Sequence, residues 1–323
     1  MNLCEVHEKL GTDEQCLQYI EKMRWPDGVV RCLTCGDKNV DKYERPVRRS
    51  RKRRSETRDP EKENKRSWFY ICRNADCREQ FSPTAGTLFH DSHLPLIKWF
   101  QAISLVLNAK KGVSAMQLKR DLGVSYKTAW YLYHRIREIM DEGNIPKLGG
   151  IVEIDETYIG GKQKGKGVYY GKKQKQTVMG AVQREGKLKM RHVENSKVKS
   201  IQPFIEASVD EKVEKVMTDQ HVVYPFALKK FADRHEIVNH IIGEYVRGDV
   251  YTNSIENVFS LFKRGIIGQY HKISAKHLQR YLDEFSYRFN RRNEDAFGET
   301  VRRLCGFPPL TFASLISEEQ VPF

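Results

Sequence analysis

The chain has 323 residues and a formal net charge of +14 at pH 7, which allows two or three domains and favours a polyanionic partner, most simply nucleic acid. No apolar run reaches the roughly 20 residues needed to cross a bilayer, so the sequence predicts no membrane partner. Met1-Asn-Leu-Cys-Glu-Val-His-Glu lacks the apolar segment of a signal peptide, so we expect a cytoplasmic protein that joins the nucleoid when it binds DNA.

The first 90 residues contain two closely spaced cysteine pairs. Two residues separate Cys32 from Cys35 and four separate Cys72 from Cys77, so each pair brings two thiolates to one turn. Because disulfides are rare in the cytoplasm, this spacing predicts a tetrahedral zinc site with four cysteine ligands. Short strands are expected around the pairs, as in a zinc ribbon, at residues 28–31, 68–71 and 80–82.

A strongly basic segment separates the two cysteine pairs. Residues 41–67 have few apolar side chains, so they predict a mobile insert whose cations either contact phosphates or are merely solvated. A helix capped by Thr12 is predicted before the ribbon. Cys4, Cys16 and Cys305 lack a partner at ligand spacing and are interpreted as ordinary thiols.

Residues 91–147 predict a compact domain of three helices. Gly123 supplies a tight turn before the third helix, and this order is typical of a helix-turn-helix, although three packed helices need no DNA to fold. The helices are expected at residues 93–108, 114–122 and 125–140. The predicted contacts to phosphates or base edges are Ser125, Tyr126 and Lys127, with Arg135 or Tyr131 as further candidates.

From residue 148 to 305 the pattern becomes that of a mixed α/β domain, followed by a tail at 306–323. The predicted order is three antiparallel strands, helix, strand, helix, strand, helix. Asp155 lies on the first strand, Asp219 ends the fourth, and Glu256 lies on the helix after the fifth. If the first and fourth strands are neighbours, the three carboxylates converge. The strands are expected at 151–158, 176–182, 188–193, 213–219 and 237–240, and the helices at 201–209, 224–235, 251–264 and 276–292.

The helix at 251–264 is predicted to be amphipathic. Asn253, Glu256, Ser260 and Lys263 share its polar face, which would ordinarily indicate a solvated surface. The two aspartates upstream favour another interpretation, because three close carboxylates repel one another unless a cation neutralises them. Two Mg²⁺ or Mn²⁺ ions roughly 3.5–4 Å apart fit such ligands and phosphodiester chemistry. Lys263 would then meet the scissile or an adjacent phosphate.

These motifs resemble a known family. Val152-Glu-Ile-Asp155-Glu-Thr-Tyr-Ile-Gly-Gly-Lys162, Thr218-Asp219 and Asn253-Ser-Ile-Glu256, with Lys263 seven residues later, are similar to the DDE catalytic core of bacterial insertion-sequence transposases. Together with the zinc ribbon they resemble the ISXO-like group, over residues 15–305. The resemblance implies a multidomain α+β protein with a ribonuclease H-like core, Mg²⁺, DNA cutting and rejoining, and a homodimer or larger assembly. Related groups with Asn at the third position make Asn253 the alternative to Glu256.

Other polar residues near these motifs receive lesser roles. Gly160 begins a glycine- and lysine-rich loop that lacks the spacing of a P-loop, so backbone contact with DNA or a plain surface loop is expected instead. Glu153 shares the strand parity of Asp155, whereas Glu156 points the other way. Either could support the metal-binding carboxylates, but a solvated surface position is the expectation for both. His221 and His271 are expected to be structural. The additional predicted DNA contacts are Lys162, Lys164, Lys166 and Arg264.

The sequence supports three functions in decreasing order. The first is a transposase that hydrolyses DNA at element ends and transfers the resulting 3'-OH into target DNA. The second is a zinc-containing DNA-binding regulator whose catalytic fold is inert. The third is a nuclease that does not join strands. The presence of all three carboxylates favours the first.

Overall fold

The structure is a computed structural model that describes residues 1–46, 66–141, 143, 145–160, 175–238 and 252–317. Over these residues the architecture is mixed α/β with two sheets, and none of the described helices is long and apolar enough to cross a membrane. Most of the basic insert and the predicted DNA contacts Lys162, Lys164 and Lys166 lie outside the described residues. Contacts divide the chain into two compact units, one of residues 1–108, 118–139 and 295–315 and one of residues 109–117, 140–294 and 316–323.

The first unit contains a three-stranded antiparallel sheet that shares a small core with an N-terminal helix. Trp68, Tyr70 and Cys72 alternate along the middle strand and bury one face against Leu17 of that helix. Thr12 caps the helix as predicted, through a reciprocal pair of hydrogen bonds with Gln15. These elements are α1 (Leu3–Lys9), α2 (Asp13–Arg24), β1 (Val40–Pro46), β2 (Arg66–Cys72) and β3 (Gln80–Phe81).

Two predictions for this region are wrong. Residues 28–31 form no strand, whereas Val40–Pro46, which was expected to begin a loop, forms β1. The strands β1 and β2 are antiparallel, and Val40 is paired with Cys72 at one end and Pro46 with Arg66 at the other. Both ends of the expected insert therefore belong to a hairpin. Its polar composition hid the strand, because the pairing satisfies the backbone groups of β2 rather than burying apolar side chains of β1.

The three central helices lie close to their predicted positions. Ser125 caps the third of them, since its Oγ accepts a hydrogen bond from Thr128 N at 3.1 Å. Gly123 has φ +60° in the turn before it, a conformation that favours glycine. The first helix begins at Leu96 rather than at His93. The helices are α3 (Leu96–Asn108), α4 (Ala115–Leu122) and α5 (Tyr126–Glu138).

The second unit is organised around a five-stranded mixed sheet. Its strands follow the order β6-β5-β4-β7-β8, in which the first three are antiparallel and the last two are parallel to β4. The first and fourth strands of this region are therefore neighbours, which is the condition under which the sequence predicted that the carboxylates converge. The strands are β4 (Ile151–Ile159), β5 (Gln176–Gln183), β6 (Leu188–Val193), β7 (Lys215–Asp219) and β8 (His235–Val238).

Helices cover both faces of this sheet. Val152 and Ile154 of β4 face a core shared with α6 and α7, whereas Ile159 faces a core shared with α8 and α9. Odd-numbered residues of β4 therefore point toward α8. The helices of this unit are α6 (Val198–Ser208), α7 (Tyr224–Ala227), α8 (Asn253–Gly265) and α9 (Ala275–Asn290), and the C-terminal helices are α10 (Ala296–Gly306) and α11 (Phe312–Ser317).

The helix predicted at 224–235 is much shorter than expected. One turn, α7, is followed by a short 3-10 segment at Lys229–Phe231, and His235 already belongs to β8. Pairing explains the difference, because His235 and Glu236 complete the edge of the sheet beside β7. The C-terminal helix α11 was not predicted from the sequence.

Gly180 of β5 is the strand partner of Asp155 and lies directly beneath α8. A Cβ atom added there would lie 2.8 Å from Ile255 Cδ1 and 2.8 Å from Phe259 Cζ. The absent side chain therefore permits the close approach of α8 to the sheet.

We expect Gly180→Ala to lower the free energy of unfolding by roughly 1–3 kcal/mol, because the added methyl overpacks this contact. Urea unfolding measures the change. Gly149→Ala is the control, since a Cβ there meets nothing within 4 Å. Equal midpoints for the two variants would contradict the close packing of α8.

Candidate active site

Two aspartates lie at the same level of adjacent parallel strands. The register pairs Ile151 with Lys215 and Glu153 with Met217. Continuing it by two residues places Asp155 beside Asp219, on strands roughly 4.8 Å apart. Both residues have the strand parity that faces α8, the helix that carries Glu256.

Asp155 is half-buried among other acidic side chains. Burial first, and then the charges of Asp219, Glu156 and Glu256, raise the pKa of Asp155 to about 8. The Glu156 N–H donates to Asp155 Oδ1 at 2.8 Å and opposes this shift. Glu256 is thus close enough to Asp155 for their charges to interact, which brings the three predicted catalytic residues into one electrostatic neighbourhood.

Glu156 belongs to this cluster and is not the solvated residue that the sequence suggested. It is half-buried, and the hydroxyl of the buried Tyr224 donates to its Oε2 at 2.5 Å. Burial, followed by the charges of Glu156, Asp155 and Asp219, raises the pKa of Tyr224 well above its usual value. The His221 N–H donates to Asp219 Oδ1 at 3.0 Å, so this residue holds the second aspartate through its backbone.

Glu153 is the clearest departure from the sequence-based expectation. Its side chain is fully buried and pairs with Arg184 Nε at 2.8 Å. It also accepts hydrogen bonds from the Ser254 N–H at 2.8 Å and the Ile255 N–H at 3.1 Å, at the start of α8. Its strand parity, shared with Asp155, was the signal in the sequence that could have indicated an inward position.

The helix α8 is amphipathic as predicted. Its buried residues are Ile255, Val258, Phe259, Phe262 and Gly265, whereas Asn253, Glu256, Lys263 and Arg264 are exposed. Glu256 Oε1 accepts a hydrogen bond from Thr252 Oγ1 at 3.3 Å.

The four cysteines of the ribbon converge on one point. Their sulfurs all lie within 4.8 Å of one another, with 3.6 Å between Cys32 Sγ and Cys77 Sγ and 3.6 Å between Cys35 Sγ and Cys72 Sγ. Ligands about 2.3 Å from zinc at tetrahedral angles have sulfurs about 3.8 Å apart. The cluster therefore fits a structural zinc ion.

Two family models and a protein from a transposable element match this chain. Residues 147–290 match the model of the ISXO2-like transposase domain, and residues 11–54 match that of the transposase zinc-ribbon domain. The two matches cover separate parts of the chain, and both are to domains of transposases. It is also 28% identical, over 297 residues, to an uncharacterized protein in the transposable element ISH50 of Halobacterium salinarum, across 86% of this chain and 90% of that protein. The resemblance seen in the sequence is thereby confirmed.

The chemistry of the acidic cluster, which lies within the matched residues 147–290, suits a divalent cation. Carboxylate oxygens are the ligands of Mg²⁺ and Mn²⁺, and a cation relieves the repulsion that raises the pKa of Asp155. Within the described ranges, the four cysteines form the one group of three or more ligand atoms that lie within 4.8 Å of one another. The acidic residues thus share a neighbourhood without forming an equally tight ligand cage.

The predicted DNA-contacting residues of α5 differ in their surroundings. Ser125 and Tyr126 are exposed at its start. The exposed Lys127 lies over the Phe312 ring, 4.5 Å from its centroid, and the Tyr131 hydroxyl donates to Leu310 O. The first turn of α5 therefore presents the accessible polar groups.

Arg135 does not suit the predicted role of a DNA contact. It is buried, and its guanidinium donates to Leu88 O and to His90 O. It also lies over Trp99, 4.8 Å from the ring centroid. Arg135 lies on the same helix as Lys127, but the carbonyl groups of the loop before α3 hold its side chain inside the first unit.

We expect zinc-loaded protein to lose its zinc in the double variant Cys32→Ser, Cys35→Ser, because two thiolate ligands are removed. Elemental analysis of purified protein measures the stoichiometry. Cys4→Ser is the control, since Cys4 is an exposed thiol outside the cluster. Retention of zinc in the double variant would contradict the site.

Asp155→Asn should raise the melting temperature in buffer free of divalent cations. A raised pKa means that the folded state binds a proton more tightly than the unfolded state, so the carboxyl group costs stability as pH rises from about 4 to about 8. The advantage of the variant should grow across that window and level off above it. Thermal unfolding without chelator, which spares the zinc, measures the difference; a lower melting temperature at every pH would contradict it.

Proposed function

We propose that the chain is a DDE-type transposase that hydrolyses a phosphodiester bond at element ends and transfers the freed 3'-OH into target DNA. The placement of Asp155 beside Asp219, with Glu256 within electrostatic range, carries this proposal. The strand order β6-β5-β4-β7-β8, with three antiparallel strands followed by parallel ones, supports a ribonuclease H-like core at residues 148–305.

Asp155, Asp219 and Glu256 would hold two Mg²⁺ or Mn²⁺ ions. When bound, such ions activate an attacking oxygen and stabilise a leaving one. The His221 N–H holds Asp219 through its Oδ1, while the Tyr224 hydroxyl holds Glu156 on the opposite face of β4. Lys263 lies seven residues, roughly 10 Å, along the same helix face as Glu256, where its ammonium would meet a neighbouring phosphate.

DNA would be held by residues outside the acidic cluster. Ser125, Tyr126 and Lys127 at the start of α5 fit a helix-turn-helix contact, in a domain at 91–147 that follows the zinc ribbon at 1–90. Arg264 is exposed beside Lys263 and fits a backbone contact. Two element ends must be joined in one reaction, which favours a homodimer or larger assembly.

Nicking of a duplex that carries an element end tests the proposal. We expect Mg²⁺-dependent nicking by the wild type, and a loss of more than roughly a hundredfold in Asp155→Asn, Asp219→Asn and Glu256→Gln, since even residues that only orient metal ligands cost 10–100-fold. Glu214→Gln, an exposed carboxylate of the same unit, is the control.

Two further measurements separate the remaining alternatives. Asn253→Ala should retain more activity than Glu256→Gln; the reverse order would make Asn253 the third ligand. Nicking without joining of the 3'-OH to a second duplex would indicate a nuclease. DNA binding without nicking by the wild type would indicate a regulator and would overturn the enzymatic proposal.

A further inference from the structure

We propose that Glu153 is a positioning residue that fixes Glu256 relative to Asp155 by capping α8 from the neighbouring strand β4. The inference rests on the proposed function, since it concerns the alignment of the same metal-binding carboxylates. It assigns a role to a buried acidic residue that lies outside the three predicted catalytic positions.

The start of α8 is capped by a residue far away in sequence. Its N-cap residue, Thr252, makes no side-chain cap and instead donates its hydroxyl to Glu256. The first-turn N–H groups of Ser254 and Ile255 donate to Glu153 Oε2, and Ser254 Oγ donates to Glu153 Oε1 at 3.0 Å. A carboxylate at a helix N-terminus satisfies these donors and interacts favourably with the helix dipole.

The buried charge of Glu153 is well compensated. Arg184 Nε donates to Oε1 at 2.8 Å, and the same guanidinium contacts Met217 Sδ at 3.0 Å on β7. The backbone N–H of Arg184 donates to Ile151 O at 3.0 Å, which attaches this residue to β4. Four donors therefore surround one carboxylate, so its position is determined by geometry as well as by charge.

Chain distances make this cap a control on the active site. Glu153 lies two residues before Asp155 on the same face of β4, and Ser254 lies two residues before Glu256. Two residues span roughly 7 Å of strand and roughly 3 Å of helix, so a shift of the cap moves Glu256 almost directly. No longer route of packing is needed to couple them.

The apolar contacts of α8 cannot replace this cap. Val258, Phe259 and Phe262 pack on the sheet and set the height of the helix above it. Such contacts are non-directional, so they resist a slide along the helix axis weakly. Hydrogen bonds to a buried carboxylate are directional and resist that slide.

The decisive variant is Glu153→Gln, which preserves the side-chain volume but removes the charge that Arg184 and the helix terminus share. We expect the dissociation constant for Mn²⁺, measured on zinc-loaded protein by the electron paramagnetic resonance of free Mn²⁺, to rise roughly tenfold or more. The Mg²⁺ concentration for half-maximal nicking should rise in parallel, while KM for DNA stays unchanged. Glu153→Asp retains the charge on a shorter side chain, so its dissociation constant for Mn²⁺ should lie between those of the wild type and Glu153→Gln.

Glu284→Gln is the matched control. Glu284 is also a fully buried glutamate of the second unit, and it pairs with Arg288 at 3.1 Å on α9. This variant should lower the melting temperature, as Glu153→Gln does, but leave Mn²⁺ binding at the wild-type value. A purely structural role for Glu153 would make the two variants alike in both measurements.

Wild-type Mn²⁺ affinity in folded Glu153→Gln would overturn the inference, and the cap would then only stabilise the fold. If Glu153→Gln does not fold, Glu153→Asp is judged by the same criterion. If Asp155→Asn binds Mn²⁺ as tightly as the wild type does, the proposed function is overturned, and the positioning role of Glu153 with it.

Discussion

Repulsion among carboxylates is the constraint on which the second unit depends. The parallel register of β4 and β7 brings Asp155 level with Asp219, and α8 adds Glu256 to the same neighbourhood. Neither burial nor like charges favour this arrangement, so packing elsewhere must impose it. Gly180 shows how closely it is imposed, because its missing side chain lets α8 approach the strand beside Asp155. An arrangement that costs stability in the protein alone is typical of a functional site, here one that a bound cation would stabilise.

Glu153 and Asp155 illustrate how two similar residues on one strand face come to differ. Glu153 receives the guanidinium of Arg184 and the donors at the start of α8, so its charge is compensated within the fold. Asp155 accepts a hydrogen bond from the Glu156 N–H and has three acidic neighbours, so its ionised form is disfavoured. The first carboxylate therefore holds structure together, and the second is suited to a cation. The environment, rather than residue type, separates the two roles.

The sequence predicted the convergence of the acidic residues because strand and helix periodicities decide which side chains share a face. It also predicted the cysteine cluster, whose spacing is local. It did not predict the surroundings of Glu153, because periodicity identifies the face of β4 that carries Glu153 but not the donors that meet it there, Arg184 and Ser254. The strand β1 was mistaken for a loop because its partner β2 follows a long insert. Arg135 was misplaced because periodicity identifies a face of α5 but not the carbonyl groups of Leu88 and His90 that occupy it.

The surroundings of α5 limit which of its residues could contact DNA. Side chains in the middle of α5 are engaged within the first unit, since Tyr131 donates a hydrogen bond to Leu310 O and Arg135 donates one to the loop before α3. Ser125 and Tyr126 remain exposed at the helix start, where N–H groups and the helix dipole favour phosphate oxygens. Contacts of that kind fix the orientation of a protein on a duplex but carry little sequence information. Recognition of an element end by this unit would therefore require base contacts in addition to those of the first turn of α5.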